Sequence, residues 1–212
     1  MNKARMLFTL PCLALLAACN MGGGGKASSG DSVQGELAGA RIGAPFTLTD
    51  QDGKPARWDD YEGQYRIVYF GYTYCPDVCP VDLQRIMQAF AQFEKAAPQR
   101  AAKVQPILIS VDPGRDTPAV LKTYVAAFHP RLIGLTGTPD QIAKVAKDFV
   151  VIYNSEKVEG ASDYLVGHSR TPYLFDPDGK PVALVPVDDP GTPDMDEGAP
   201  DKVLAFLQKW IK

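Results

Sequence analysis

From residue 42 onward, apolar positions fall first at every second residue and then at every third or fourth. Pro45-Phe-Thr-Leu-Thr-Asp50 alternates, turns at Gln51-Asp52-Gly53-Lys54 and runs on to Trp58, which predicts a β-hairpin. Asp59 to Gly63 reads as a short turn or helix, and Arg66-Ile-Val-Tyr-Phe70 as a strand. Leu83, Ile86, Met87, Phe90 and Phe93 keep helical spacing, so a helix is expected over roughly Val81 to Ala96. Val104 to Val111 is an apolar, β-rich run suited to a central buried strand.

Two helices then announce their own starts. Thr117-Pro118 and Thr138-Pro139 each place a capping hydroxyl before a proline at the first helical position. The first helix carries Val120, Leu121, Tyr124, Val125 and Phe128 and stops before Pro130; the second buries Ile142, Val145, Ala146 and Phe149. Between them Leu132 to Leu135 is a short strand, and Val150 to Tyr153 is extended. Thr171 to Phe175, the turn Asp176-Pro-Asp-Gly179 and Val182 to Val187 form a second hairpin. Residues 188–200 are an acidic, proline-rich loop, and Val203 to Ile211 closes the chain as an amphipathic helix. Strands separated by helices need crossovers and so a parallel core, to which a terminal hairpin adds antiparallel strands. This order is that of an α/β, thioredoxin-like fold with an N-terminal β-hairpin extension and a C-terminal hairpin plus helix.

The first forty residues follow another rule. Lys3 and Arg5 precede an apolar run from Met6 to Ala18, too short to cross a bilayer. Leu16-Ala17-Ala18-Cys19 resembles the lipobox of a bacterial lipoprotein signal peptide, which implies cleavage before Cys19 and a diacylglycerol on its sulfur. Residues 1–18 are then the signal peptide, 19–41 the lipidated cysteine with a flexible Gly/Ser-rich tether, and 42–212 the folded domain. A tether of about twenty such residues reaches about 25 Å, which holds the domain near a membrane, lipid-anchored on the periplasmic side. Cys12 would leave with the leader, so Cys75 and Cys79 are the remaining thiols. Removing Lys3 and Arg5 from the 22 basic residues leaves 20 against 25 acidic ones, a formal charge of −5. A mildly acidic chain without a basic stripe argues against nucleic acid as a partner.

The two thiols lie in Tyr72-Thr-Tyr-Cys-Pro-Asp-Val-Cys-Pro80, between the strand at 66–70 and the helix that follows. In an open α/β sheet, chemistry gathers beyond the carboxyl ends of the strands, where this loop sits. A helix N-terminus lowers a thiol pKa, and the thiolate both attacks disulfides and binds soft metals. Cys-X-X-Cys is the usual redox spacing; the extra residue here tilts the pair toward a shared cation without excluding a disulfide. Of the two histidines, His129 precedes Pro130 and reads as a helix cap or surface residue. His168 stands before the terminal hairpin, at the edge facing the cysteine loop. Two thiolates and an imidazole form a soft set suited to Cu(I) and able to hold Cu(II). A closed zinc site would want a fourth protein ligand.

Tyr74-Cys-Pro-Asp-Val-Cys-Pro80, Ser110-Val-Asp-Pro-Gly-Arg-Asp-Thr-Pro118, His168-Ser169 and Tyr173-Leu-Phe-Asp-Pro-Asp-Gly179 together resemble the SCO/SenC family, over about residues 42–187. The resemblance implies a membrane-tethered copper chaperone that helps metallate the binuclear copper centre of cytochrome c oxidase. It implies copper on Cys75, Cys79 and His168, and a reversible disulfide between the cysteines. Its partners would be the oxidase subunit bearing that centre, an upstream copper donor and a thiol reductant. The alternative function is a thiol–disulfide oxidoreductase that keeps the acceptor's cysteines reduced. The family often carries aspartate before the histidine, where this chain has Gly167; a carboxylate there could orient the imidazole. Thr171-Pro172 is open to two readings, a cis proline facing the sulfurs or a trans proline at a strand start. In Asp112 to Pro118, Asp116 or Thr117 is expected to cap a helix and Arg115 to pair with a carboxylate.

Overall fold

A computed structural model of the protein describes residues 35–157, 164–189, 191–192 and 194–212. The expected leader and residues 19–34 of the tether lie outside these, while residues 35–41 are described, with the Leu37 N–H donating to the Val182 carbonyl. Strands β1 (Thr47–Asp50) and β2 (Pro55–Arg57) form the expected hairpin, with Leu48 opposite Ala56. A turn of 3-10 helix, Trp58–Tyr61, leads to β3 (Tyr65–Gly71), followed by helix α1 (Val78–Ala96), the short α2 (Pro98–Ala101) and β4 (Val104–Ser110). Helix α3 (Pro118–Ala126), β5 (Ile133–Thr136) and α4 (Pro139–Asp148) complete the crossovers. Then come β6 (Tyr153–Lys157), β7 (Tyr164–His168), β8 (Tyr173–Phe175), β9 (Pro181–Leu184) and α5 (Pro200–Trp210).

Seven strands form one sheet in the order β2-β1-β5-β4-β3-β8-β9. Strands β3, β4 and β5 are parallel, and β8 joins β3 antiparallel. All seven residues of β3 are buried, as a strand with helices over its faces requires. Helix α1 packs against α5, and α3 against β5. The caps work as read. Thr117 accepts from the Val120 N–H; Thr138 accepts from the Gln141 N–H while the Gln141 side chain accepts from the Thr138 N–H, a reciprocal capping box.

Two differences from the sequence reading, and one question it left open, bear on the site. Helix α1 begins at Val78, not Val81, which brings Cys79 into its first turn. Pro80 is tolerated there because the first N–H groups of a helix have no intrahelical acceptor. Secondly, Tyr153–Lys157 pairs antiparallel with Tyr164–His168 as a separate two-stranded sheet, a hairpin the pattern did not announce. Its strands lie mostly toward solvent, so they lack the apolar alternation that marks a half-buried strand. Of the two readings left open for Thr171–Pro172, the peptide is trans, and the Pro172 carbonyl accepts from the Val185 N–H at 2.9 Å.

Candidate metal centre

Strand β3 delivers the chain to the carboxyl edge of the sheet at Gly71, and residues 72–77 cross from it to α1. A Cβ on Gly71 would stand 2.8 Å from the Tyr69 ring and 3.3 Å from Cys79 Sγ, so glycine is what lets the sulfur approach the strand end. The loop is tied down by Asp116, which is fully buried. Its carboxylate accepts from the Thr73 N–H at 3.1 Å, the Thr73 hydroxyl at 2.6 Å and the Ser110 hydroxyl at 2.6 Å. Asp116 therefore anchors the cysteine loop, and Thr117 alone caps α3.

Cys75 lies within the loop half-buried, whereas Cys79 is fully buried; both are free thiols. The Cys79 backbone N–H donates to Cys75 Sγ at 3.4 Å, so the sulfur takes up one of the orphan donors at the start of α1. A hydrogen bond from the Cys79 thiol, with further help from His168 and the N–H groups of Asp77 and Cys79, outweighs burial and draws the Cys75 thiol down to about 4. The same sulfur–sulfur contact, together with burial, pushes Cys79 up. One negative charge thus sits on the more accessible sulfur, with the other sulfur as its donor.

His168 closes the group from the opposite side. It ends β7, with Nε2 3.0 Å from Cys79 Sγ and Nδ1 3.0 Å from the Ser169 carbonyl oxygen. The rings of Tyr69 and Tyr72 stand edge-on to the imidazole, with centroids 6.4 and 5.9 Å away. The ligand atoms of Cys75, Cys79 and His168 all lie within 4.8 Å of one another, and no other three His, Cys, Asp or Glu side chains among the described residues are so arranged. The three residues singled out in the sequence are therefore brought together. His129 is not among them. It is buried rather than at the surface, with Nε2 against Glu94 at 3.0 Å, Nδ1 accepting from the Arg131 N–H, and its ring on the edge of Phe90.

The residues that hold the hairpin to the cysteine loop went unread. Arg115 pairs with Asp112, as expected, but its guanidinium also lies over the rings of Tyr164 at 3.8 Å and Tyr74 at 4.7 Å. It donates to the Tyr164 carbonyl at 2.9 Å, the Tyr164 hydroxyl donates to Asp112 at 2.7 Å, and the Val166 N–H donates to the Tyr72 hydroxyl at 3.2 Å. Arg115 thus bridges Tyr74, next to Cys75, and the first residue of the strand that ends in His168. The tyrosines at 72, 74 and 164 were the available signal, since an arginine meets aromatic faces favourably.

The SCO1/SenC family model matches residues 34–197 of this chain. The protein SCO2, mitochondrial, of Saccharomyces cerevisiae is 42% identical over 156 residues, covering 73% of this chain and 50% of that protein. The chain spans about half the length of the first curated relatives it matches. Among solved structures, Bradyrhizobium japonicum ScoI with copper bound superposes with a TM-score of 0.68 at 38% identity, covering 80% of this chain and 99% of that one. BsSco, described by a disulfide switch and as a member of the Sco family of cytochrome c oxidase assembly proteins, gives 0.59 at 25% identity, covering 80% of this chain and 92% of that one.

Proposed function

The chain belongs to the SCO1/SenC family, and from that premise we propose that it carries one copper ion on Cys75, Cys79 and His168 and delivers it to the binuclear copper centre of cytochrome c oxidase during assembly. The observation that carries this reading is the convergence of two sulfurs and one imidazole nitrogen within 4.8 Å. That donor set fits Cu(I) in three-fold coordination and can also hold Cu(II). With three donors and a half-exposed Cys75, an acceptor's thiolate can enter before a resident ligand leaves. Stepwise exchange of this kind suits a carrier, whereas a closed four-ligand site suits a structural metal.

The N-terminal segment supports a location. Leu16-Ala17-Ala18-Cys19 and the Gly/Ser-rich run after it fit a lipid anchor and tether that keep the domain on the periplasmic side of a bacterial membrane. There it would meet the oxidase subunit that bears the copper centre, an upstream copper donor and a thiol reductant.

The test is an anaerobic Cu(I) titration of the purified, reduced protein in competition with a chromophoric chelator, with His168→Ala alongside. One tightly held copper per chain, weakened by the histidine change, is expected. Weak binding indifferent to His168 overturns the assignment.

A second reading rests on the asymmetry of the thiols, one lowered and accessible, the other raised and buried. The Cys75 thiolate would attack an acceptor disulfide, forming a mixed disulfide and expelling one acceptor thiolate. Cys79, on losing its proton, would then attack Cys75 Sγ and expel the second thiolate. The acceptor gains two electrons, the Cys75–Cys79 pair is oxidised to a disulfide, and a thiol reductant restores it. This exchange does not need His168, so disulfide reduction unimpaired in His168→Ala, without tight copper binding in the parent protein, would favour it.

A further inference from the structure

The imidazole has no carboxylate behind it. Its Nδ1 lies 3.0 Å from the carbonyl oxygen of Ser169, the next residue in the chain. A carbonyl only accepts, so that contact requires a ring proton on Nδ1 and turns Nε2, 3.0 Å from Cys79 Sγ, toward the sulfurs as the nitrogen whose lone pair a neutral ring offers to a metal. The tautomer and the aim of the ring therefore depend on where the Ser169 carbonyl is held. On the hairpin side, Ser169 is tied to Ile152 through its N–H at 2.9 Å and its hydroxyl oxygen at 3.1 Å. Ile152 is itself highly exposed, so that tie leads away from the core.

On the other side the chain is tied to the core. Arg170 sends a fork to Asp82, with Nε to Oδ2 at 3.1 Å and Nη2 to Oδ1 at 2.8 Å. Asp82 is 1% exposed, and it also accepts from the Tyr69 hydroxyl at 3.0 Å. It lies three residues after Cys79 on α1, hence one turn further along the same face. The helix that fixes the buried sulfur thus fixes, through a single ion pair, the residue two places after the imidazole. A fork on a carboxylate is directional, unlike the point charge of an ammonium, so it sets position as well as neutralising a buried charge.

We propose that Arg170, held on Asp82, is the positioning residue of the site: it places the Ser169 carbonyl so that His168 presents Nε2 to the two sulfurs. Gly167 lies on the solvent-facing side of β7, and successive residues of a strand face opposite ways; the ion pair does what a carboxylate at that position does not do here. The consequence for copper rests on the copper-carrier reading above, but the placement of the ring does not.

Two measurements on the purified, reduced protein separate these. The first, without metal, is the 15N NMR of the His168 ring nitrogens. The parent protein is expected to show a single tautomer with the proton on Nδ1. Arg170→Met is expected to show averaging between tautomers, and Arg170→Lys, which keeps the charge and loses the fork, to restore the parent pattern only in part. The second is the Cu(I) competition titration, where Arg170→Met is expected to weaken binding about 10- to 100-fold, the range for outer partners of metal-bound histidines. In a His168→Ala background the same change is expected to add no further loss. Should Arg170→Met leave Asp82 too costly to bury, Asp82→Leu/Arg170→Met removes both charges together and is expected to give the same averaged tautomers. An unchanged tautomer in the variants overturns the proposal, as does an Arg170→Met loss that persists without His168. If the parent protein binds no copper tightly, the copper-carrier reading fails, and the NMR result alone upholds or overturns Arg170.

Discussion

On the cysteine side of the site, β3 is buried along its whole length, pairs with β4 and β8, and feeds a nineteen-residue helix whose inner face includes Leu83, Ile86, Phe90 and Phe93. On the histidine side, β6 and β7 pair only with each other, and of the five residues of β7 only Val166 is buried. The first arm is placed by apolar packing, which is dense and tolerates little displacement. The second is placed by a few directed contacts, from Arg115, Tyr72, Tyr164 and the ion pair of Arg170 with Asp82. The site is therefore rigid in its sulfurs and adjustable in its nitrogen. On the proposed copper-carrier reading, the imidazole is the donor that can yield first.

The largest departure from ordinary behaviour is expected at Cys75. Its thiol is lowered from an ordinary value of 9.0 to about 4, so alkylation of the folded, reduced, metal-free protein should stay level from pH 8 down to about 5. Below about 4 it should fall roughly tenfold per pH unit, as the thiolate disappears. In urea the fall should begin near the ordinary value. The sign for stability follows from the same shift. A lowered group contributes stability fully above its unfolded value, and that contribution is lost as pH falls through the folded one. Cys79, shifted upward, works in the opposite sense, so the alkylation rate reads the effect more cleanly than denaturation does. A folded-state profile that breaks near 9 would mean that the cysteine side is not preset by the fold.

Next in size is Phe90→Ala on α1. Phe90 is fully buried against the core and the His129 ring, and its truncation should cost about 3–5 kcal/mol in denaturant unfolding. Tyr164→Phe, on the hairpin, removes one hydrogen bond to Asp112 and should cost about 1 kcal/mol. Its mark should be faster amide exchange confined to β6 and β7, with the central sheet unchanged. Equal global losses from the two variants would erase the distinction between the arms. The smallest effect is expected from Gly167→Asp. The new Cβ meets the side chain of Asn154, whose amide can swing aside, and the carboxylate would extend from the face opposite His168. Cu(I) affinity should change by less than about two-fold, within the scatter of a surface substitution; a marked gain would show that the carboxylate reaches Nδ1 after all.

Much of this was legible in the chain because the signals are local. The prolines at 118 and 139 with their threonine caps, the helical spacing from Leu83 to Phe93 and the apolar run from Val104 specify elements whose partners lie within a few residues. Cys75 and Cys79 were visible as a pair at a strand–helix junction, and His168 as a histidine at the facing edge. The β6–β7 hairpin was not legible, since Tyr153–Lys157 carries no apolar alternation and its pairing with Tyr164–His168 is made by the backbone, with Tyr153 packed against the core. Nor was the role of Asp116, which reads as one more capping aspartate until Thr73, forty-three residues earlier, is seen to donate to it twice.

The sequence by itself determined the donors and the frame, because residue type sets ligand chemistry and the period of apolar residues sets strand and helix. Tertiary structure decided what the donors can do. Cys75 and Cys79 differ in protonation because folding sets the two sulfurs in hydrogen-bond contact and encloses Cys79 more deeply. His168 presents Nε2 because the Ser169 carbonyl accepts a hydrogen bond from Nδ1 and an arginine two residues on is locked to an aspartate eighty-eight positions away. Such contacts depend on distances in space that no spacing along the chain encodes.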